Sequence, residues 1–194
     1  YDEAITQISK SPSLVGSETI VHNKVVIVTG GAQGFGEGIV KGLCKKGALV
    51  FVADINLDGA KSLASEINRE EDRTVAFPVL CNVTDEESVK LMVKYVVEKV
   101  GGIDILISNA GVLKAGSVKT ISKEDFEFVT DVNYLGFFLC TKHIAPVMER
   151  MNKPTGRYST DIISITSKWP MNGVHRENEF GTACQMPDGR WVLQ

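Results

Sequence analysis

No stretch of the sequence approaches the roughly 20 consecutive apolar residues that cross a bilayer as a helix. Nor does one charge dominate. Lys and Arg number 21 against 24 Asp and Glu, and a net charge of -3 leaves no basic footprint for nucleic acid. Cysteine is sparse: Cys44, Cys81, Cys140 and Cys184 form no CxxC pair, and their spacing fits neither a zinc site nor a disulfide framework. Reduced, mostly buried thiols are the expectation. Three scattered histidines, His22, His143 and His175, do not suggest a metal site. No basic region followed by an apolar stretch opens the chain, so no signal peptide is visible and a cytoplasmic location is expected. Membrane, nucleic-acid and metal functions are thereby set aside.

What remains reads as a globular protein. A length of 194 residues suggests one domain, or one with an appendage, and 43% hydrophobic against 23% charged residues is ordinary for such a chain. The first residue is Tyr1, as expected of a processed product or a piece of something longer. Residues 1–22 do not share the later pattern. "YDEAITQIS" suggests a short helix and "KSPSLVGSET" a linker, so this part is expected to be an arm or the end of an upstream domain.

From residue 23 onward, strand and helix alternate. "KVVIVTG" (24–30), "ALVFVADIN" (48–56), "TVAFPVLCNV" (74–83), "IDILISNAG" (103–111) and "TDIISITS" (160–167) each hold an apolar, β-branched run typical of a strand buried on both faces. Between them lie helical patterns. "GEGIVKGLCKKG" places Ile39, Val40 and Leu43 on one face and ends at Gly47. "LDGAKSLASEINRE" is amphipathic. "TDEESVKLMVKYVVEKVG" suggests Thr84 as N-cap with Glu87 completing a capping box. A long helical stretch opens at Ser122, with Asp125 three residues on. Strands separated by single helices predict right-handed crossovers, hence an α/β fold with a doubly wound parallel sheet of the Rossmann type. Its ligand crevice lies at the carboxyl ends of the strands.

"TGGAQGFGEG" joins the first strand to the first helix, and Gly30, Gly34 and Gly36 stand in G-x3-G-x-G spacing. A pyrophosphate needs a tight turn, a backbone it can approach, and free N–H groups at a helix start near Phe35. The position between strand and helix makes the motif far more specific than a bare glycine cluster. The second strand ends at Asp54, where a carboxylate accepts hydrogen bonds from ribose hydroxyls and repels a 2′-phosphate. Gln33 adds no cation to hold such a phosphate. Both features point to NAD.

With those residues in place, the chain resembles the short-chain dehydrogenase/reductase family from about Lys24 to Ser167. Five motifs carry the resemblance in order: "TGGAQGFG" with Thr29 at its start, "CNVTD", "SNAG", "NYLGFF" and "SITS". The resemblance implies that Asn82 and Val83 contact adenine, although the family more often has Asp where Asn82 stands. It implies that Asn109, Ala110 and Gly111 close the fourth strand beside the coenzyme. It places Asn133 at the active-site asparagine, which holds a water in the proton path, and Ser167 at the serine that hydrogen-bonds the substrate oxygen. It further implies a tyrosine that exchanges a proton with that oxygen. A lysine four residues later lowers the tyrosine pKa from about 10. A small-molecule substrate and a homo-oligomer are the expected partners. Lys168 in "TSK" resembles the polyol-phosphate dehydrogenases of the family, sorbitol-6-phosphate dehydrogenase among them, so a sugar or polyol substrate is expected.

The resemblance breaks near the end. The tyrosine and lysine are due near 180 and 184, where Phe180 and Cys184 stand. Two extended runs flank Pro187-Asp188-Gly189, which predicts a turn, and residues 168–194 read as an atypical loop and hairpin. The fold is therefore expected to be C-terminally incomplete or altered. Three readings stay open: an insertion with Tyr-x3-Lys beyond residue 194, a catalytically dead NAD-binding or oligomerisation module, or an enzyme whose sequence is cut short or shifted in frame.

Overall fold

The computed structural model describes residues 20–114, 119–152 and 160–165, together with the backbone of 180–185 and 191–193. The N-terminal arm over residues 1–19, Ser167, Lys168, Trp169 and the turn at Pro187–Gly189 lie outside the described residues.

Strands β1 (Val25–Thr29), β2 (Leu49–Asp54), β3 (Ala76–Leu80), β4 (Ile105–Ser108) and β5 (Asp161–Ile165) are all parallel and stand in the order β3-β2-β1-β4-β5. Helices α1 (Gly34–Lys45), α2 (Leu57–Glu70) and α3 (Glu86–Val100) cross between them. The connection from β4 to β5 holds α4 (Lys123–Thr130), a π-turn over Asp131–Leu135, and α5 (Gly136–Asn152).

The strand runs are uninterrupted in apolar residues because each strand feeds two cores. Val25 and Ile27 of β1, Phe51 and Ala53 of β2 and Leu106 of β4 face α3 and α5. Their neighbours Val26, Val28, Val50, Val52, Ile105 and Ile107 face α1 and α2. The two-residue alternation of a strand thus buries every position of β1. Burial of each such side chain contributes about 1.5–3 kcal/mol, so a charge at Val28 would break both the core and the strand.

Helix ends follow from local chemistry. Ser122 accepts from the Asp125 amide at 3.0 Å, as its sequence position predicts. Gly47, at φ +90°, ends α1 in the left-handed conformation that glycine adopts without strain. At α3 the expectation of a Thr84 cap is corrected. Asp85 is the N-cap and accepts from the Glu87 amide at 3.1 Å. Thr84 instead turns its hydroxyl back onto Asn82 Oδ1 at 2.9 Å, a local bond that competes with capping.

Strands β6 (Phe180–Gln185) and β7 (Trp191–Leu193) flank the sequence-predicted turn and pair antiparallel with each other. Strand β6 also pairs antiparallel with β5, from Ile165 opposite Phe180 to Ile162 opposite Ala183. The hairpin backbone therefore occupies the β5 side of the parallel sheet.

Candidate functional site

The strand order reverses between β1 and β4: the chain leaves β1 toward β2 and β3, then returns to the other side of β1. A crevice must open at that switch point, beyond the carboxyl ends. Registers bring those ends level. Thr29 lies opposite Ala53, and Val28 opposite Ile107. A cavity of about 730 Å3 lies there, within the roughly 300–1,000 Å3 range of small-molecule and cofactor sites.

The glycine turn forms one wall, and each glycine has its own reason. Gly30 has φ +62°, and a Cβ on it would stand 2.8 Å from Ala110 Cα. A Cβ on Gly36 would collide with the Gly30 carbonyl oxygen and stand 2.8 Å from Asn109 Nδ2. Gly34, at φ +59°, faces open space and leaves room for a ligand's backbone-close approach. The N-cap Gln33 makes no side-chain hydrogen bond to α1. Amides of the first turn therefore remain for an anion. Phe35, 87% exposed, stands between the last two glycines at the cavity wall.

A second wall is the end of β4. Asn109 donates its backbone N–H to Thr29 Oγ1 at 3.0 Å and its Nδ2 to the carbonyls of Thr29 and Gly30 at 3.0 and 3.1 Å. The Ala110 amide also donates to Thr29 Oγ1, at 3.0 Å. Asn133, on the π-turn, holds Val112, two residues further on: its Oδ1 accepts from Val112 N at 2.8 Å and its Nδ2 donates to Val112 O at 3.0 Å. Gly136 ends that turn against Val83, where a Cβ would stand 2.7 Å from Val83 Cγ2. This close approach accounts for the glycine in "NYLGFF". A π-turn inside a helical run often accompanies a functional site.

The third wall carries the acidic group. Asp54 is 9% exposed, and its carboxylate accepts from the amides of Ala32 and Asn56, both at 2.9 Å. A carboxylate has about four acceptor positions, so two remain for ligand hydroxyls. Beside it, Cys81 lines the cavity with a thiol that burial pushes up to about 12. It is neutral near pH 7 and no nucleophile. No lysine or arginine is among the described residues lining the cavity.

Gly30, Gly34, Phe35, Gly36, Asp54, Asn82, Val83, Asn109, Ala110 and Gly111, drawn from four separate loops, all line this one cavity. Asn133 stands behind the wall, through Val112. Ser167 lies outside the described residues. Sequence reasoning missed Ile55, Phe128 and Asp131, which also line the cavity. Ile55 was open to detection, since an apolar residue just past a strand end has no core to enter. Phe128 and Asp131 carry no such signal, because only the folding of α4 and the π-turn across the crevice brings them there.

Comparison with known proteins agrees with this architecture. The curated sorbitol-6-phosphate 2-dehydrogenase of Escherichia coli (strain K12) is 35% identical over 161 residues, 83% of this chain and 60% of the relative. Xanthoxin dehydrogenase of Arabidopsis thaliana is 37% identical over 142 residues, 72% of this chain and 50% of the relative. The chain thus spans about half to three-fifths of the length of these relatives. Among solved structures, a 3-ketoacyl-(acyl-carrier-protein) reductase from Brucella melitensis, complexed with NADH, superimposes with a TM-score of 0.69 at 31% identity. That match covers 76% of this chain and 58% of the reductase. A family model described as short chain dehydrogenase matches residues 24–183. The match takes in every strand of the parallel sheet and every wall of the cavity, and on it the chain belongs to the short chain dehydrogenase family.

Proposed function

We propose that the chain is the coenzyme-binding part of an NAD-dependent oxidoreductase that interconverts a secondary alcohol and a ketone on a sugar or polyol. The observation that carries this reading is Asp54. It lines the cavity beside the glycine turn, accepting from the Ala32 amide of that turn at 2.9 Å, with no cation in the described lining to hold a 2′-phosphate. The residues fit the group: Gly34 leaves open space beside the uncapped start of α1 for the pyrophosphate, and the free acceptor positions of Asp54 suit the ribose hydroxyls. When bound, the nicotinamide supplies hydride-transfer chemistry. Asn109, Ala110 and Gly111 form the floor beneath it, and Asn82 and Val83 flank the adenine. Asn133 positions that floor by gripping both backbone polar groups of Val112, and it supports the proton path. Ser167 orients the substrate oxygen. The name of the E. coli relative supports a polyol substrate, and the NADH in the Brucella structure supports the coenzyme class.

The setting we propose is a cytoplasmic homo-oligomer. No helix among the described residues is long and apolar enough to cross a membrane. Phe126, Tyr134 and Phe138, 62%, 74% and 52% exposed on α4, the π-turn and α5, offer apolar surface for self-association.

A second reading has its own observation. Phe180 and Cys184, at the positions due for tyrosine and lysine, lie on strand β6 rather than on a helix. That favours a non-catalytic NAD-binding or oligomerisation module. Two assays separate the readings. NADH fluorescence titrated with the purified chain measures binding, and NADH consumption over a panel of ketoses and ketose phosphates measures turnover. Binding with turnover, in this chain or in one extended past Gln194 to include a Tyr-x3-Lys, supports the enzyme. Binding without turnover in either supports the module. No binding of NADH or NADPH overturns both.

A further inference from the structure

Asp54 and the start of α1 fix the direction of a bound dinucleotide. With the pyrophosphate beside Gly34 and the ribose on Asp54, the base must continue past Asp54, away from the glycine turn. The lining there comes from Ile55 and from the run Asn82-Val83-Thr84 after β3, the strand next to β2. Ile55, 69% exposed, offers an apolar surface to a ring face. Asn82 offers a polar group to the ring edge.

The orientation of the Asn82 amide is fixed by its neighbours. Its Oδ1 lies 3.2 Å from the backbone nitrogen of Thr84, which can only donate, so the oxygen and not the NH2 faces it. The Thr84 hydroxyl donates to the same oxygen at 2.9 Å. The Asn82 backbone N–H is anchored on Ser88 Oγ at 2.9 Å. The oxygen is thus engaged twice within its own turn, and the NH2, a pure donor, is left for the cavity.

Building on the NAD reading above, we propose that Asn82 presents a donor rather than an acceptor to the purine edge, so that the chain does not discriminate adenine from hypoxanthine. Adenine carries an amino donor at C6 and an acceptor at N1. Hypoxanthine carries a carbonyl acceptor at C6 and a donor at N1. A carboxylate at this position would accept from the adenine amino group and repel the hypoxanthine carbonyl. The Asn82 NH2 donates to N1 of the one or to O6 of the other.

The test compares the affinities of the purified chain for NADH and for reduced nicotinamide hypoxanthine dinucleotide, by fluorescence titration. The wild-type dissociation constants are expected to agree within about threefold. Asn82→Asp keeps an acceptor for Thr84 and is expected to favour NADH by about tenfold or more, the scale of one lost or opposed buried hydrogen bond. A wild-type preference for NADH of tenfold or more overturns the proposal, as does an unchanged ratio in Asn82→Asp. A wild-type preference that disappears in Asp131→Asn assigns base reading to Asp131 and overturns it too. Binding of NADH alone leaves the NAD reading standing while this inference falls; binding of neither removes both.

Discussion

Thr29 Oγ1 accepts the backbone N–H of Asn109 at 3.0 Å while Asn109 Nδ2 donates back to the Thr29 carbonyl at 3.0 Å. This reciprocal pair ties the end of β1 to the end of β4 across the switch point where the crevice opens. Thr29 is fully buried, and its hydroxyl also serves the Ala110 amide. Thr29→Val keeps the shape and orphans two backbone donors, each costing about 1–3 kcal/mol when buried. A loss of at least about 2 kcal/mol is expected in urea unfolding, with Thr29→Ser losing about 1 kcal/mol or less for the missing methyl. A Thr29→Val loss no larger than that of Thr29→Ser would contradict a dominant role for the hydroxyl.

The glycines of the turn differ in what they tolerate. Gly36→Ala places a methyl on the Gly30 carbonyl oxygen and against Asn109. It is expected to abolish NADH binding and to lower stability. Gly38, exposed on α1 two residues later, has nothing within 4 Å of a built Cβ. Gly38→Ala is expected to stabilise by about 0.5–1 kcal/mol through helix propensity and to leave binding unchanged. Thermal unfolding with and without NADH measures both. A Gly36→Ala chain that binds like wild type would refute the close-packed turn.

Three thiols are expected to be silent. Burial pushes Cys44 and Cys81 up to about 12 and Cys140 higher still; Cys44 and Cys140 are sealed in the two cores, and Cys81 is buried at the cavity wall. Their thiolate fraction at pH 8 is negligible in the folded chain, whereas an unperturbed cysteine near pH 8.5 is partly ionised. Iodoacetamide at pH 8, followed by peptide mass spectrometry, is expected to leave all three unmodified until guanidinium is added. Native-state labelling of Cys81 at a rate near that of a free thiol would contradict its burial.

A pH signature comes from Glu86, which opens α3 and reaches Lys142 and His143 on α5. Both partners stand 2.8 Å from Oε1. The hydrogen bond from Lys142, then that from His143, lowers the Glu86 carboxyl from 4.5 to about 2. A depressed acid stabilises the fold above its unfolded pKa and loses that contribution as pH falls through the folded value. The stability difference between wild type and Glu86→Gln is therefore expected in full above about pH 4.5 and to vanish toward pH 2. The group is exposed, so 1 M salt is expected to shrink the difference at every pH. A difference independent of both pH and salt would assign the contact a packing role instead.

Much of this was legible in the sequence, for reasons that stop at identifiable points. Strands buried on both faces leave no polar position, so β1 and β2 read as unbroken apolar runs. Asp54 and Gly30 announce themselves because each sits where a strand must end, and Gly34 and Gly36 because they open the helix that follows. The α3 cap was misplaced because Thr84 and Asp85 are both good caps, and only the bond from Thr84 to Asn82 decides between them. The π-turn at Asp131–Leu135 leaves no trace in the apolar spacing of a helical run. Its role is visible only when Asn133 meets Val112, 21 residues away in the chain. Phe128 and Asp131 enter the cavity by the same long-range closure.

Calorimetric titration of the chain with NADH and NADPH, repeated on Asp54→Arg, tests the central claim most directly. The account predicts heat from NADH and little from NADPH in wild type, and a preference reversed toward NADPH once a cation replaces the carboxylate. No heat from either coenzyme in wild type, or a preference that Asp54→Arg leaves untouched, would contradict it.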